Sequence, residues 1–456
     1  MPVRTFQRSS EIKVPAPELR DWHFRPGAFS RLNPPWEKAE VVDVPAALEN
    51  GARATIKLGS APFRIKWIAE HEITEDGFVD RQISGPFARW EHRHRFEERG
   101  TDSQLIDEIS YRLPFGFPGD FFGKWMVKRK LDRMFRYRHD VTKADLERRI
   151  GNPPPKPLTV LITGATGMIG TALTGYLQTQ GHRVIGITRN PRSPHDIYWD
   201  LDNGILEIPH SLQPDAVIHL AGENVASGRW SDGKRTSILE SRIKGTRLIT
   251  EAVLKLAQPP SVFISASGSG YYPLDGEWHD ESSPPGSHFL SNVCQKWEAE
   301  SEPVREAGIR VVQARIGAVL SPVGGALEKL LPVFKLGLGG RIGRGDQHMA
   351  WISLDDTIDI LHRALHEESW EGPINLVAPE KVTNTQFTGT LAEVLKRPAL
   401  IPVPARAITT IFGEMGRETI LANVTVSPGK LQSLGYRFRH PELKKALSHV
   451  LGKSPD

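Results

Sequence analysis

The stretch Leu158-Thr159-Val160-Leu161-Ile162-Thr163-Gly164-Ala165-Thr166-Gly167-Met168-Ile169-Gly170 decides the fold of the larger part of this chain. Five largely apolar residues read as a strand covered on both faces, and three glycines three apart follow at once. In such a strand-to-helix turn each glycine has a task. Gly164 permits the tight turn, Gly167 lets backbone approach a pyrophosphate, and Gly170 lets the helix pack against the strand. The helix start then offers free N–H groups and partial positive charge to phosphates. Thr166, Met168 and Ile169 complete the predicted cradle. A helix to Gln180 and a second strand, Arg183–Ile187, close a βαβ unit of about thirty residues.

Outward from this unit the alternation continues. Ala216–Leu220, Val262–Ser265 and Arg310–Ala314 are apolar runs spaced to leave room for helices, which predicts a doubly wound parallel sheet. His219, Leu220, Ala221 and Gly222 end the Ala216–Leu220 run, where they are expected to wall the cofactor crevice. Upstream, Gly151-Asn152-Pro153-Pro154-Pro155-Lys156-Pro157 is a proline-rich spacer that cannot sustain a helix. Before it, Ala52–Leu58, Phe63–Ile73, Phe78–Ile83, Trp90–Phe96 and Ser103–Leu113 read as strands. Pro114–Gly119 reads as a loop, and a helix from about Phe121 to Arg149 follows. A sheet curled around one long helix is an α+β arrangement, with a ligand cavity expected beside Trp67, Phe87 and Trp125. The predicted organisation is residues 1–150, linker 151–157, residues 158–400 and a C-terminal cap at 401–456.

Composition excludes several classes. The 456 residues are 39% hydrophobic and 25% charged, ample for packed cores. No run approaches the ~18 apolar residues of a membrane-spanning helix, and the first residues lack the apolar core of a secretory signal. One cysteine, Cys294, reads as an inert buried thiol, so a cytoplasmic location is the expectation. The net charge of +4 falls in residues 1–150, with 27 Lys and Arg against 23 Asp and Glu, while the remainder carries 31 of each. The basic run Lys124–Arg138 reads as a solvated helix face; no nucleic-acid motif accompanies it. His92 and His94 share a strand face but lack a nearby third ligand in sequence, so no metal is expected.

The first part resembles the START-like, polyketide-cyclase helix-grip superfamily through its element order and through Trp22–Ala28 and Arg31–Trp36. That likeness implies an apolar ligand between sheet and helix. The second part resembles the extended and atypical short-chain dehydrogenase/reductases, through the glycine spacing, Ser265-Ala266-Ser267 and Trp351–Asp356. More narrowly, residues 158–450 are similar to the nucleoside-diphosphate-sugar epimerase family, sometimes labelled cell-division inhibitors. The segments are Ala221–Asn224, Gly270–Tyr272, Val293-Cys294 with Trp297-Glu298, Arg315–Gly317 with Gly324–Leu327, Pro428–Leu431 and Leu434–Phe438.

The resemblance implies a nicotinamide cofactor and a Tyr-x-x-x-Lys pair, in which lysine lowers the tyrosine pKa for proton transfer. Ser267 fits the substrate-orienting serine and Lys296 the lysine, but Asn292 stands where the tyrosine is expected. Tyr271 and Tyr272 are the remaining phenols, and neither has a lysine four residues on. Three readings follow: a loop tyrosine acts, another acid such as Glu223 or Cys294 substitutes, or cofactor binds without rapid turnover. After the second strand, Ile187-Thr188-Arg189-Asn190-Pro191-Arg192 carries no acid for a ribose 2′-hydroxyl. Arg189 offers a fork suited to a 2′-phosphate, which points to NADP. The expectation is an NADP-dependent oxidoreductase or epimerase acting on a small molecule; the alternative is a catalytically weak NADP-binding regulator or sensor.

Overall fold

The computed structural model describes residues 3–37, 39–43, 48–59, 64–114, 116–148 and 156–454. Most of the proline-rich linker, residues 151–155, lies outside them, as do Phe63 and Arg149. Two compact units are present, residues 1–156 with 175–181 and residues 157–174 with 182–456.

In the first unit, strands β1 (Arg4–Ile12), β2 (Ala39–Asp43), β3 (Arg53–Leu58), β4 (Ile65–Thr74), β5 (Gly77–Ser84), β6 (Arg89–Arg99) and β7 (Asp102–Arg112) form one antiparallel sheet. Its order is β1-β7-β6-β5-β4-β3-β2. Helices α1 (Ala16–Phe24) and α2 (Ala28–Leu32) precede β2, and α3 (Gly116–Glu147) follows β7. β1 escaped the sequence reading because only Phe6 interrupts its polar run Arg4–Glu11, yet it pairs with β7 from end to end. The start of α3 corrects the expected loop at 114–119. Pro118 falls in the first turn, where a missing N–H removes no helical bond.

Side chains of this sheet are layered. Trp90, Tyr111 and Ile109 pack with Leu131 and Phe135 of α3, and Phe78, Phe96 and Leu105 form part of a second apolar cluster. Trp67 meets Trp90 edge-on at 5.1 Å between ring centroids, and Phe87 lies tilted against it at 4.7 Å. Trp125 departs from the expected cavity lining: it is 67% exposed, with the Arg129 guanidinium over its ring. Six residues from Leu131, it projects from a different face of the helix.

The second unit is a doubly wound α/β fold. Its elements run β8 (Thr159–Thr163), α4 (Met168–Thr179), β9 (Arg183–Thr188), β10 (Ile197–Asp200), β11 (Ile205–Leu206), β12 (Ala216–His219), α5 (Asp232–Leu254) and β13 (Val262–Gly268). After a short strand β14 (Trp278–His279) come α6 (Phe289–Ala299), α7 (Glu302–Glu306), β15 (Arg310–Ile316), β16 (Ala318–Leu320), α8 (Gly325–Lys335), β17 (Trp351–Ser353), α9 (Leu354–His366) and β18 (Gly372–Leu376). The main sheet is ordered β11-β10-β9-β8-β12-β13-β15-β18, parallel except for β11. Strand order therefore reverses between β8 and β12, and such a switch point opens a crevice at the carboxyl ends.

Residues after 376 close back on this sheet. Thr425-Val426 pairs with β14. Asp356, wholly buried at the start of α9, accepts from Ser353 Oγ at 2.6 Å, Arg439 N at 2.6 Å, His440 N at 3.0 Å and Tyr436 Oη at 3.0 Å. Glu418 accepts from the N–H groups of Phe289 and Leu290 at 3.1 and 2.9 Å, satisfying two open donors at the start of α6. Among the described residues no helix is long and apolar enough to cross a membrane.

Candidate active site

The glycine turn sits at the switch point. Gly164 has φ +72°, and a Cβ there would lie 3.0 Å from Ala221 N; one on Gly170 would lie 2.1 Å from Gly164 O. Both positions exclude a side chain for backbone reasons. A Cβ on Gly167 would stand 3.2 Å from the same oxygen. Thr166 and Gly167 are exposed, and α4 begins at Met168, so its first N–H groups have no helical acceptor and face the crevice mouth. These residues fit a dinucleotide pyrophosphate: a bare backbone cradle ends on a helix start.

Leu220, Ala221 and Gly222 form the opposite wall. Thr163 Oγ1 accepts from Leu220 N and Ala221 N, both at 3.2 Å, and stands 2.7 Å from His219 Nδ1. With both N–H groups accepted, the Thr163 hydroxyl donates to His219 Nδ1, so the neutral imidazole carries its own proton on Nε2. Burial pushes the His219 pKa down to about 3, and Arg242 adds to the shift. His219 is thus a latch between β8 and β12. Arg189 is the first residue beyond β9 and is exposed, as is Arg192.

The chemistry-bearing side chains gather at the end of β13. Ser267 Oγ donates to Glu298 Oε1 at 2.6 Å. Arg315, opposite Ser267 in the β13–β15 register, grips the same carboxylate through Nε and Nη2, each at 2.9 Å. Its Nη1 donates to Tyr272 Oη at 2.9 Å, and that hydroxyl donates to Asn375 Oδ1 at 2.7 Å. Tyr272 is wholly buried, and desolvation pushes its pKa up to about 12 despite Arg315 beside it. Tyr271 is half-buried, with the Arg315 guanidinium 3.5 Å from its ring centre.

Ser267, Tyr271 and Tyr272 are therefore brought together, and Lys296 is not. Lys296 is exposed on α6, two positions from both Cys294 and Glu298 and so on another side of that helix. Cys294 is buried, its thiol pushed up to about 11 chiefly by burial. Sequence reading left Glu298 and Arg315 without a role. The signal was the parallel pairing of β13 with β15, which sets position 315 beside position 267.

Residues 160–376 match the model described as the NAD dependent epimerase/dehydratase family, and residues 403–450 match a domain of unknown function, DUF1731. Residues 12–138 match polyketide cyclase / dehydrase and lipid transport. The epimerase family protein SDR39U1 of Homo sapiens is 38% identical over 300 residues, 64% of this chain and 100% of that protein. The chain belongs to the epimerase family. Another epimerase family protein, Mb2239 of Mycobacterium bovis, is 37% identical over 64% of this chain and 97% of its own length. The crystal structure of human epimerase family protein SDR39U1 (isoform2) with NADPH superposes with a TM-score of 0.58 at 37% identity, over 64% of this chain and 99% of that one. The nucleoside-diphosphate sugar epimerase structure from Corynebacterium glutamicum has a TM-score of 0.80 at 31% identity and covers 98% of this chain and 90% of its own.

Proposed function

We propose that this epimerase family protein is an NADP(H)-dependent oxidoreductase or nucleotide-sugar epimerase-like enzyme, with its reacting centre beside Ser267. The observation that carries the chemical part is the Ser267–Glu298–Arg315 chain. Bound NADP(H) supplies or accepts a hydride. The Ser267 hydroxyl orients the substrate oxygen and relays its proton: as a substrate hydroxyl gives its proton to Ser267 Oγ, the Ser267 proton passes along the 2.6 Å hydrogen bond to the Glu298 carboxylate, and carbonyl reduction runs the same relay backwards. Arg315 holds the Glu298 carboxylate bidentately and fixes its orientation. Tyr271 borders this centre as the phenol with the more open position. The NADP(H) preference is supported by Arg189 beyond β9, and by the NADPH in the human relative's structure.

Cofactor binding without turnover is a second reading, favoured by two specific features. Tyr272 has its hydroxyl committed to Arg315 and Asn375, and Lys296 faces solvent. Following NADPH absorbance with a panel of ketones, aldehydes and nucleoside-diphosphate sugars separates the two. The enzymatic reading expects consumption with at least one carbonyl substrate, reduced in Glu298→Gln with NADPH affinity kept. Tight NADPH binding with no consumption across the panel, and no epimerised sugar, supports the sensor reading.

The first unit is read as an appended holder of an apolar ligand, on the side of its sheet where Trp67, Phe87 and Trp90 cluster. Native mass spectrometry of the purified chain, before and after delipidation, tests it: no mass lost on delipidation counts against the reading.

A further inference from the structure

The first unit carries an ionisable layer for which the epimerase chemistry has no use. His71 faces Asp80, Asp80 faces His92, and His94 faces Asp107 across four adjacent strands, β4 to β7. Strand alternation places all five on one side of the sheet. His139 of α3 reaches the same layer. Exposure is only 4% for His92, 5% for His94 and 2% for Asp107, and apolar clusters flank them along β6 and β7. Buried positions in a sheet are ordinarily apolar, so so many donors in one layer call for a reason.

The contacts divide the layer into two shells. Asp107 binds His92 Nε2 at 2.8 Å and His139 Nε2 at 2.7 Å. Its Oδ1 also lies 2.7 Å from His94 Nδ1, a buried nitrogen without an aligned hydrogen bond. His92 Nδ1 is left over, and His94 Nε2 faces Asp80; although burial opposes it, Asp107 and Asp80 together push the His94 pKa up to about 9, so a metal there must displace the proton of Nε2. His94 Nε2 stands 3.8 Å from Asp80 Oδ2, while Asp80 Oδ1 holds His71 Nδ1 at 2.5 Å. Donor atoms of Asp80, His92 and His94 lie within 4.8 Å of one another. Metal–ligand bonds of about 2.1 Å separate pairs of ligand atoms by roughly 3–4 Å, so a small inward shift suffices.

We propose that Asp80, His92 and His94 bind a divalent first-row transition metal, with Asp107 orienting the two imidazoles from behind. Two histidines and one carboxylate are borderline donors that suit zinc, cobalt, iron or manganese and leave coordination positions open. A carboxylate on the far nitrogen of a ligating histidine fixes its tautomer and raises its basicity. The Asp80 side chain is 21% exposed, which gives an ion an entry path. Arg138 is close enough to influence both carboxylates, so affinity comes from the nitrogen donors more than from uncompensated negative charge.

A second cluster, His182, His362 and His366, shows by contrast what a site needs. His182 Nδ1 accepts from Leu158 N at 3.0 Å, so the neutral ring carries its proton on Nε2, directed at His362 Nε2 at 3.0 Å. That nitrogen has no lone pair to give. The cluster is a hydrogen-bond chain.

The test uses the full chain, stripped with EDTA and then titrated with Co²⁺ and with Zn²⁺. Bound metal is counted by mass spectrometry after gel filtration, and Co²⁺ is followed by its visible absorption. The proposal expects one Co²⁺ per chain at micromolar free metal, weakened about ten-fold or more in Asp80→Asn and in His94→Gln. His366→Ala should leave it unchanged. Asp80→Asn alters a part-exposed group, so it keeps the test sound if His94→Gln unfolds, as circular dichroism would reveal. No retained metal in the wild type overturns the proposal, and so does an equivalent that survives Asp80→Asn but is lost in His366→Ala.

Discussion

Ser267 and Glu298, thirty-one residues apart in sequence, share a 2.6 Å hydrogen bond at the carboxyl end of β13. The carboxylate would be costly to bury there without Arg315, whose side chain is 4% exposed against 13% for Glu298. The three residues form one unit, so each change is expected to act on the others.

Removing the cation should be the most damaging change to stability. Arg315→Met leaves Glu298 part-buried and unpaired and takes a donor from Tyr272 Oη, a loss of roughly 3 kcal/mol. Urea unfolding by far-UV circular dichroism checks this. A midpoint within error of wild type would mean that the pair is not holding the sheet end together.

Catalytic loss should follow the hydroxyl. With any substrate that is turned over, Ser267→Ala should lower kcat by about 10²–10⁴ while NADPH affinity stays near wild type. Tyr272→Phe should act mainly on stability, since its hydroxyl is committed to Arg315 and Asn375. Steady-state rates together with unfolding midpoints test both. An unchanged kcat in Ser267→Ala would remove the serine from the reacting centre.

Acid should weaken the second unit before carboxylates titrate. His219 holds a pKa of about 3 in the fold against an ordinary value of 6.5, so the unfolded chain binds the extra proton between those limits. Stability from this group is present above pH 6.5 and declines as pH falls toward 3, by about 2 kcal/mol at pH 5. His366, lowered to about 4, contributes with the same sign. Urea midpoints at pH 7 and 5 for wild type and His219→Asn measure the term. Equal pH slopes in the two proteins would contradict it.

The glycine turn makes a steric prediction. Gly170→Ala sets a methyl 2.1 Å from Gly164 O, against backbone that cannot yield without opening the turn. NADPH affinity should fall more than ten-fold, as read by quenching of tryptophan fluorescence. Retained affinity would show that the turn does not cradle the pyrophosphate.

What could be read from sequence, and what could not, divides by distance along the chain. The run Leu158–Gly170 predicts its own strand, turn and helix, because those contacts are local. The alternation after it predicts the sheet. The partners of Ser267 are a different case: Glu298 and Arg315 come to it only through the packing of α6 and the pairing of β15, which no local pattern reports. His92 and His94 were recognisable as neighbours on one strand face. Their carboxylates stand on the flanking strands, and drawing the hairpins would have set Asp80 opposite His92 and Asp107 opposite His94. Trp125 misled because aromatic supply says nothing about direction on a helix, whereas its spacing from Leu131 and Phe135 does.

The choice of cofactor turns on Arg189 at the end of β9. Titrating NADPH and NADH into wild type and Arg189→Ala, by fluorescence or calorimetry under one buffer and salt concentration, tests it directly. The prediction is a wild-type preference for NADPH of at least about ten-fold, the size of one charged phosphate contact, that collapses in Arg189→Ala while NADH affinity is unchanged. Equal wild-type affinities for the two cofactors, or a preference that persists in Arg189→Ala, would contradict it.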